Sequence, residues 1–181
     1  PGTTTAIIGS TGSGKTTLLN ALLALPGFTR HRILIGQDRD ELQCSAPDVA
    51  SLLAREMDPV ITMHDIIKAK MRLRPDRIVI GEVREGAPAL AMLKAWNTGH
   101  PGGLGTIHAD GAAEIFERLE ELVGEVSARP QHRLIIRAVK IAVFIERTED
   151  GTRRVTQIVS VEGFDGTDYQ LRIEDESNAT D

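Results

Sequence analysis

Gly9-Ser10-Thr11-Gly12-Ser13-Gly14-Lys15-Thr16 follows the apolar run Ala6-Ile7-Ile8 and precedes Thr17-Leu18-Leu19-Asn20-Ala21-Leu22-Leu23. The stretch fits G-x-x-x-x-G-K-[ST], and its flanks read as a strand before and a helix after, the context a phosphate-binding loop requires. Gly9, Gly12 and Gly14 let the backbone curl so that several N–H groups point at phosphate oxygens. The helix starting near Lys15 adds the positive end of its dipole. Lys15 is placed to reach the β- and γ-phosphates as a point charge, and the Thr16 hydroxyl to ligate Mg²⁺. Thr17 completes the nucleotide-binding set. Ser10, Thr11 and Ser13 either assist through their hydroxyls or fill the loop as solvated small residues. The expected ligands are ATP and Mg²⁺.

Outward from this loop, apolar runs at Thr5 to Gly9, Arg32 to Gly36, Arg77 to Gly81 and Leu104 to His108 read as buried parallel strands. Helical patterns lie between them at about Lys15 to Ala24, Met63 to Arg72 and Ala87 to Asn97, with further helices at Ala112 to Glu125 and Pro130 to Ile136. Strands alternating with helices indicate βαβ units and a mostly parallel sheet. Right-handed crossovers then bring the catalytic groups to the strands' carboxyl ends. Val139 to Glu146, Val155 to Val161 and Tyr169 to Ile173 read as antiparallel strands extending one edge, separated by the turns Glu149-Asp150-Gly151 and Asp165-Gly166. From Glu174 to Asp181 the chain is polar and is expected to fray.

Three further segments carry chemistry. In Arg77-Ile78-Val79-Ile80-Gly81-Glu82-Val83-Arg84 an acid sits just past a strand end, where P-loop enzymes place the group that handles Mg²⁺ or water. Glu82 is positioned to orient and deprotonate the attacking water. Arg84 either contacts the γ-phosphate or pairs with a neighbouring acid. Thr98-Gly99-His100-Pro101-Gly102-Gly103-Leu104-Gly105-Thr106-Ile107-His108 places His108 at the end of a strand, as a γ-phosphate sensor. His100, His108 and Asp110 have no zinc-ligand spacing. Gln37-Asp38-Arg39-Asp40-Glu41 follows the second strand, and one of its carboxylates is expected to reach Mg²⁺ or water.

Composition narrows the classes. With 181 residues, 41% hydrophobic and 26% charged, the chain suits one globular domain with a real core. A net charge of −5 and only 3% aromatic residues argue against a single-strand nucleic-acid track, which needs a basic groove and stacking platforms. The single Cys44 excludes an internal disulfide and a cysteine zinc site and suits a reduced, cytosolic compartment. No apolar run approaches the roughly 18 residues of a membrane span, and no stretch reads as a signal peptide. The start at Pro1, a few residues before the first strand, reads as a fragment whose N-terminal portion lies elsewhere.

Together, in this order, the four segments resemble the Walker A, Asp box, Walker B and His box of the secretion and traffic ATPases of type II and type IV secretion, from about Thr5 to Ile173. Glu41-Leu42-Gln43-Cys44-Ser45-Ala46-Pro47, Gly81-Glu82-Val83-Arg84, Ala95-Trp96-Asn97-Thr98-Gly99-His100 and Gly163-Phe164-Asp165-Gly166 look most like conjugal-transfer ATPases of the TrbB kind. The resemblance implies a RecA-like core over residues 1–174 with a flexible tail at 175–181, and a missing N-terminal domain that covers the nucleotide and supplies arginines. It implies a homo-hexameric, Mg-dependent ATPase at the cytoplasmic face of the inner membrane, held there by partner components of a secretion or conjugation channel. Its site would comprise Glu82, Glu41, His108 and Arg84 for catalysis, and Thr16, Asp38 and Glu82 for the metal. Where the family's Asp box has Glu-Asp, this chain has Gln37-Asp38. Gln37 keeps hydrogen bonding and loses the charge that a base or strong metal ligand needs. A second departure, Ala87-Pro88 after Arg84, is tolerable only in a first helical turn. A pilus assembly or retraction ATPase, and a nucleotide-binding ring scaffold with weak hydrolysis, are the alternative functions.

Overall fold

The computed structural model describes residues 2–176. A single eight-stranded sheet runs through it. β1 (Thr5–Ile8) and β5 (Leu104–Ile107) lie in the middle. β4 (Arg77–Val83), β2 (Ile33–Gln37) and β3 (Val49–Leu53) lie to one side. To the other lie β6 (Ile141–Arg147), β7 (Arg153–Phe164) and β8 (Tyr169–Glu176). The spatial order is β3-β2-β4-β5-β1-β6-β7-β8. Every pairing from β3 to β6 is parallel, and β6–β7 and β7–β8 are antiparallel.

The central strands are buried because helices cover both faces, as parallel sheets require. Alternation in β1 divides the core. Ala6 and Ile8 join a cluster with residues of α3 (Met63–Leu73), α4 (Gly86–Asn97), α5 (Ile115–Gly124) and α6 (His132–Ala138). Ile7 joins the opposite cluster, with Leu19 and Leu23 of α1 (Lys15–Leu23) and Phe28 of α2 (Pro26–Thr29). The start of α3 is a capping box between Thr62 and Asp65, and its end is Arg74 in the left-handed region at φ 49°. Pro88 does fall in the first turn of α4. The start of α4 abuts the end of α5: Gly86 N–H donates to Glu125 Oε2 at 2.8 Å, and a Cβ at Gly86 would stand 2.2 Å from the Leu122 carbonyl oxygen.

Several elements differ from the sequence reading. β6 is antiparallel on one side only: it pairs antiparallel with β7, while Thr5 to Ile8 pair in parallel register with Ile141 to Phe144. The helices α5 and α6 between β5 and β6 form a crossover, and a crossover returns the chain in the parallel direction. The antiparallel edge therefore begins only at β7. β3 (VASLL) is not among the strands expected from the sequence, because Ser51 interrupts its apolar run. It is an edge strand of half-exposed residues, so the usual burial signal is missing. Glu174, Asp175 and Glu176 do not fray, because Asp175 and Glu176 pair with Ile158 and Gln157. The remainder of the expected tail, residues 177–181, lies outside the described residues.

The glycines between His100 and Thr106 serve packing. The Trp96 indole N–H donates to the Ile78 carbonyl at 3.0 Å, and a Cβ at Gly103 would meet that indole nitrogen at 2.1 Å. A bulkier residue there would expel Trp96 from the core. His100 sits at this lower end of the sheet, with Nδ1 2.8 Å from the Pro75 carbonyl, and burial holds its pKa down.

Candidate nucleotide-binding site

Gly9 to Gly14 leave the carboxyl end of β1 as a loop that three glycines make sterically possible. Gly12 and Gly14 have φ of 76° and 103°, in the left-handed region. Gly9, at φ 152°, is pressed so closely by β6 that a Cβ would stand 2.1 Å from the Ile145 carbonyl oxygen. Gly14 caps α1, and the Leu18 N–H donates to its carbonyl at 2.9 Å. Lys15 Nζ folds back over the loop and donates to the carbonyls of Gly9 at 2.7 Å and Ser10 at 2.9 Å. Burial lowers its pKa, the Glu82 carboxylate opposes that shift, and Arg84 adds to it. The Ser13 hydroxyl is buried with no hydrogen-bond partner among the described residues, so the solvated reading does not apply to it.

The loop opens into a cavity of about 810 Å³. Thr11, Gly12, Gly14, Lys15, Thr16 and Thr17 line its floor, and Asp38, Glu41, Glu82, Arg84 and His108 close one side. Glu82 reaches the cavity by a local irregularity. It lies within β4 rather than past its end, and the pairing with β5 shifts between Ile80 and Val83. The stretch from Ile80 to Val83 spans Gly105 to Ile107 on the partner, one residue more than regular pairing allows. Such a bulge re-aims a side chain. The Thr106 hydroxyl donates to the Gly81 carbonyl and so satisfies a backbone group of the shifted stretch.

Arg84 bridges the acids. Its Nε donates to Glu82 Oε2 at 2.9 Å, Nη2 reaches the same oxygen, and Nη1 stands 3.3 Å from Asp38 Oδ2. The hydrogen bond from Arg84 to Glu82, followed by the charge of Glu82, raises the Arg84 pKa. With Arg84 60% and Asp38 42% exposed, these pairs are worth about 0–1 kcal/mol each and can exchange for phosphate contacts.

Gln37 is only 2% exposed and organises the loop after β2. Its carbonyl oxygen accepts from the N–H groups of Glu41 at 3.1 Å and Leu42 at 2.9 Å, and its amide nitrogen donates to Asp40 at 3.0 Å and Ser51 at 3.1 Å. Asn20 of α1 clamps the same loop, donating to the Glu41 carbonyl at 3.0 Å and accepting from the Gln43 N–H at 2.9 Å. The acids are thereby tied to the helix that begins in the phosphate loop.

The family description "Type II/IV secretion system protein" matches residues 3–148. The chain belongs to this family. It is 44% identical over 95% of its length to the "Conjugal transfer protein TrbB" of Rhizobium radiobacter, of which it covers 54%. It is 48% identical over 91% of its length to a "Probable conjugal transfer protein TrbB" of Sinorhizobium fredii, of which it covers 50%. Among solved structures, the VirB11 ATPase of the Brucella suis type IV secretion system, in complex with sulphate, superposes with a TM-score of 0.74. That match has 26% identity and covers 86% of this chain and 47% of that one. The pilus retraction motor PilT with bound ADP shares the fold at a TM-score of 0.65 and 20% identity, covering 97% of this chain and 48% of that one. The chain thus spans about half the length of the curated relatives it matches.

In this member of the secretion-system family, the expected site residues from Thr11 to Thr17, apart from Ser13, line the cavity with Asp38, Glu41, Glu82, Arg84 and His108. Gly9, Ser10 and Ser13 are not among the lining residues, and the Gly9 and Ser10 carbonyls accept from Lys15 Nζ. His108 lies just beyond β5, exposed to the cavity, with no hydrogen-bond partner among the described residues. Sequence reasoning missed Thr106, Asn20, Arg39 and Arg153. Thr106 sits inside β5, which ends one residue before His108, so a polar residue in an apolar run was the available signal. Arg153 gave none: it reaches Gly12 across 141 positions of sequence.

Proposed function

We propose that the protein containing this chain is the ATP-hydrolysing motor of a type IV secretion or conjugative-transfer system, powering channel assembly and substrate transfer as a homo-hexamer. The observation that carries this reading is the bulge of β4. It turns Glu82 into the same cavity that Lys15 and Thr16 floor, so a base faces a phosphate cradle. The loop fits a triphosphate on structural grounds: the left-handed glycines exclude a Cβ, and the buried Lys15 ammonium is held only by carbonyls that a phosphate can replace.

The steps follow from the residues. Lys15 leaves the Gly9 and Ser10 carbonyls for the β- and γ-phosphates. Arg84 releases Glu82 and turns its charge toward the γ-phosphate. Glu82 then accepts the proton of the attacking water, and His108 donates to the developing phosphate charge. Glu41 lines the same cavity as a second candidate acid beside Asp38. Among the described residues no cluster of three His, Cys, Asp or Glu forms a metal cage. This suits Mg²⁺, which is bound through one or two carboxylates plus substrate phosphates. Thr16, Asp38 and Glu82 would hold it, and when bound it neutralises charge on the β- and γ-oxygens. Gln37 does not speak for a scaffold without hydrolysis, because its amide is consumed in holding the loop.

Among the described residues no helix is long and apolar enough to cross a membrane. The proposed location is the cytoplasmic face of the inner membrane, through partner proteins of the channel. A further domain, in the half of the curated relatives that this chain does not span, is proposed to supply the nucleotide's cover and further arginines. Phosphate release by the full-length protein, with and without Mg²⁺, tests the reading. Mg-dependent turnover that Glu82→Gln removes is the expected result, and no turnover in the assembled ring would overturn it.

A further inference from the structure

Arg153 lies on the flank of the phosphate loop that the proposed chemistry does not use. Its Nε donates to the Gly12 carbonyl at 3.3 Å, and its Cδ lies where a Cβ at Gly14 would stand 2.8 Å away. The side chain therefore lies along the loop backbone and borders the cavity. It is exposed and, among the described residues, has no carboxylate partner, in contrast to Arg84.

Two features define the setting of this cation. The turn before it is rigid: the Asp150 carboxylate accepts from the Thr148 hydroxyl and from the Thr152 N–H and hydroxyl at 3.0 and 2.8 Å. These bonds lower the Asp150 pKa to about 2. Across the hairpin, Arg147 is the register partner of Arg153. Residues directly opposite in an antiparallel pair share a face, and like charges there repel. Neither arginine has an ion-pair partner among the described residues, so the hairpin end presents two cations whose repulsion an anion beside the loop would relieve.

Sheet order decides which part of a nucleotide that anion is. Glu82, His108 and Asp38 come from β4, β5 and β2, all on one side of β1, whereas Arg153 comes from β7 on the other. A γ-phosphate placed for attack beside Glu82 leaves the opposite end of the nucleotide toward Arg153. We propose that Arg153 is a nucleotide-anchoring residue that takes the α-phosphate side of the bound nucleotide, outside the chemical step. The proposal rests on the ATPase reading above.

The test is calorimetric titration of the full-length protein with ADP and with ATP, alongside steady-state turnover. Arg153→Ala weakens ADP and ATP binding by the same factor, about tenfold, the scale of one charge-assisted hydrogen bond. KM rises more than kcat falls, and Arg153→Lys recovers most of the loss. The melting temperature without nucleotide stays at the unmutated value. Unchanged ADP affinity would overturn the assignment. So would a loss confined to ATP, which would move the contact to the γ-phosphate, or a fall in melting temperature that accompanies the lost affinity. An unmutated protein that binds no ADP would remove the ATPase reading itself. Normal binding by both proteins would remove only the role of Arg153.

Discussion

The two flanks of the phosphate loop offer a triphosphate very different surroundings. On the side of β5, β4 and β2, Glu82, Asp38, Glu41 and His108 gather around one arginine that already has two carboxylate partners. On the side of β6 and β7 there is an arginine with a backbone carbonyl for company. The first flank is a set of groups that exchange partners at low cost, which is what proton transfer and phosphate release need. The second is a charge fixed beside a rigid turn, suited to holding and unsuited to chemistry. On the proposed reading, sheet position therefore divides reaction from retention, with Lys15 between them.

The comparison breaks most completely at that junction. Lys15→Ala is expected to abolish nucleotide binding or hydrolysis, because both flanks address a phosphate chain that Lys15 seats. Turnover by the variant near the unmutated rate, measured by phosphate release, would mean that nucleotide does not sit in this loop. The next largest effect belongs to the reactive flank alone. Glu82→Gln is expected to retain ATP affinity and slow hydrolysis by about 10²- to 10⁴-fold, the scale of a general base. An unchanged kcat would transfer the role to Asp38 or Glu41.

The convergence of Glu82, His108 and Asp38 on one cavity was legible in the sequence because each lies at or just past the carboxyl end of an apolar strand. Glu82, His108 and Asp38 each sit within a few residues of a run that reads as buried strand. Parallel strands in one sheet bring such ends together without further information. The exact aim of Glu82 was not legible. It depends on a one-residue shift between Ile80 and Val83 that no local pattern announces. The retaining flank was illegible for a different reason. Arg153 is one exposed arginine after an ordinary turn, and its meaning depends on β6 lying parallel beside β1. The β-branched composition of Ile141 to Arg147 suits either direction. Gln37 was legible only in part: its type pointed to a lost acid in the Asp box, whereas its four hydrogen bonds, which no local pattern announces, make it part of the loop's frame.

A smaller effect sharpens the reactive flank. His108→Ala is expected to lower kcat by about 10- to 10²-fold, at or below the scale of one preorganised donor to a developing oxyanion. Its position beyond β5, exposed to the cavity and without a protein partner, motivates the expectation. ADP affinity should hold, since the histidine addresses a phosphate that ADP lacks. Equal loss of ADP and ATP binding, measured by calorimetry, would make His108 structural and leave Glu82 and Arg84 as the flank's only reactive pair.

The smallest effect on turnover is expected at Gln37, where the loss should appear in stability instead. Gln37→Glu restores the acid usual in the family's Asp box, so a purely catalytic view predicts faster hydrolysis. The hydrogen bonds predict otherwise. A carboxylate keeps the two acceptor contacts to the Glu41 and Leu42 N–H groups but cannot donate to Asp40 and Ser51. It would also place a second negative charge against Asp40 at a position only 2% exposed. The cost comes from burying the introduced charge, since Asp40 and Ser51 are exposed and water can replace the lost amide contacts. Burial and the Asp40 charge would raise the introduced carboxyl's pKa above its unfolded value. The destabilisation should therefore be largest at neutral and higher pH and shrink as the pH falls and the carboxyl takes up a proton. Urea unfolding at pH 8 and pH 5 reads this directly, with kcat expected to stay within a few-fold of the unmutated protein. A stability equal to the unmutated protein at both pH values, joined to a rise in kcat, would return Gln37 to the reactive flank as a weakened catalytic position.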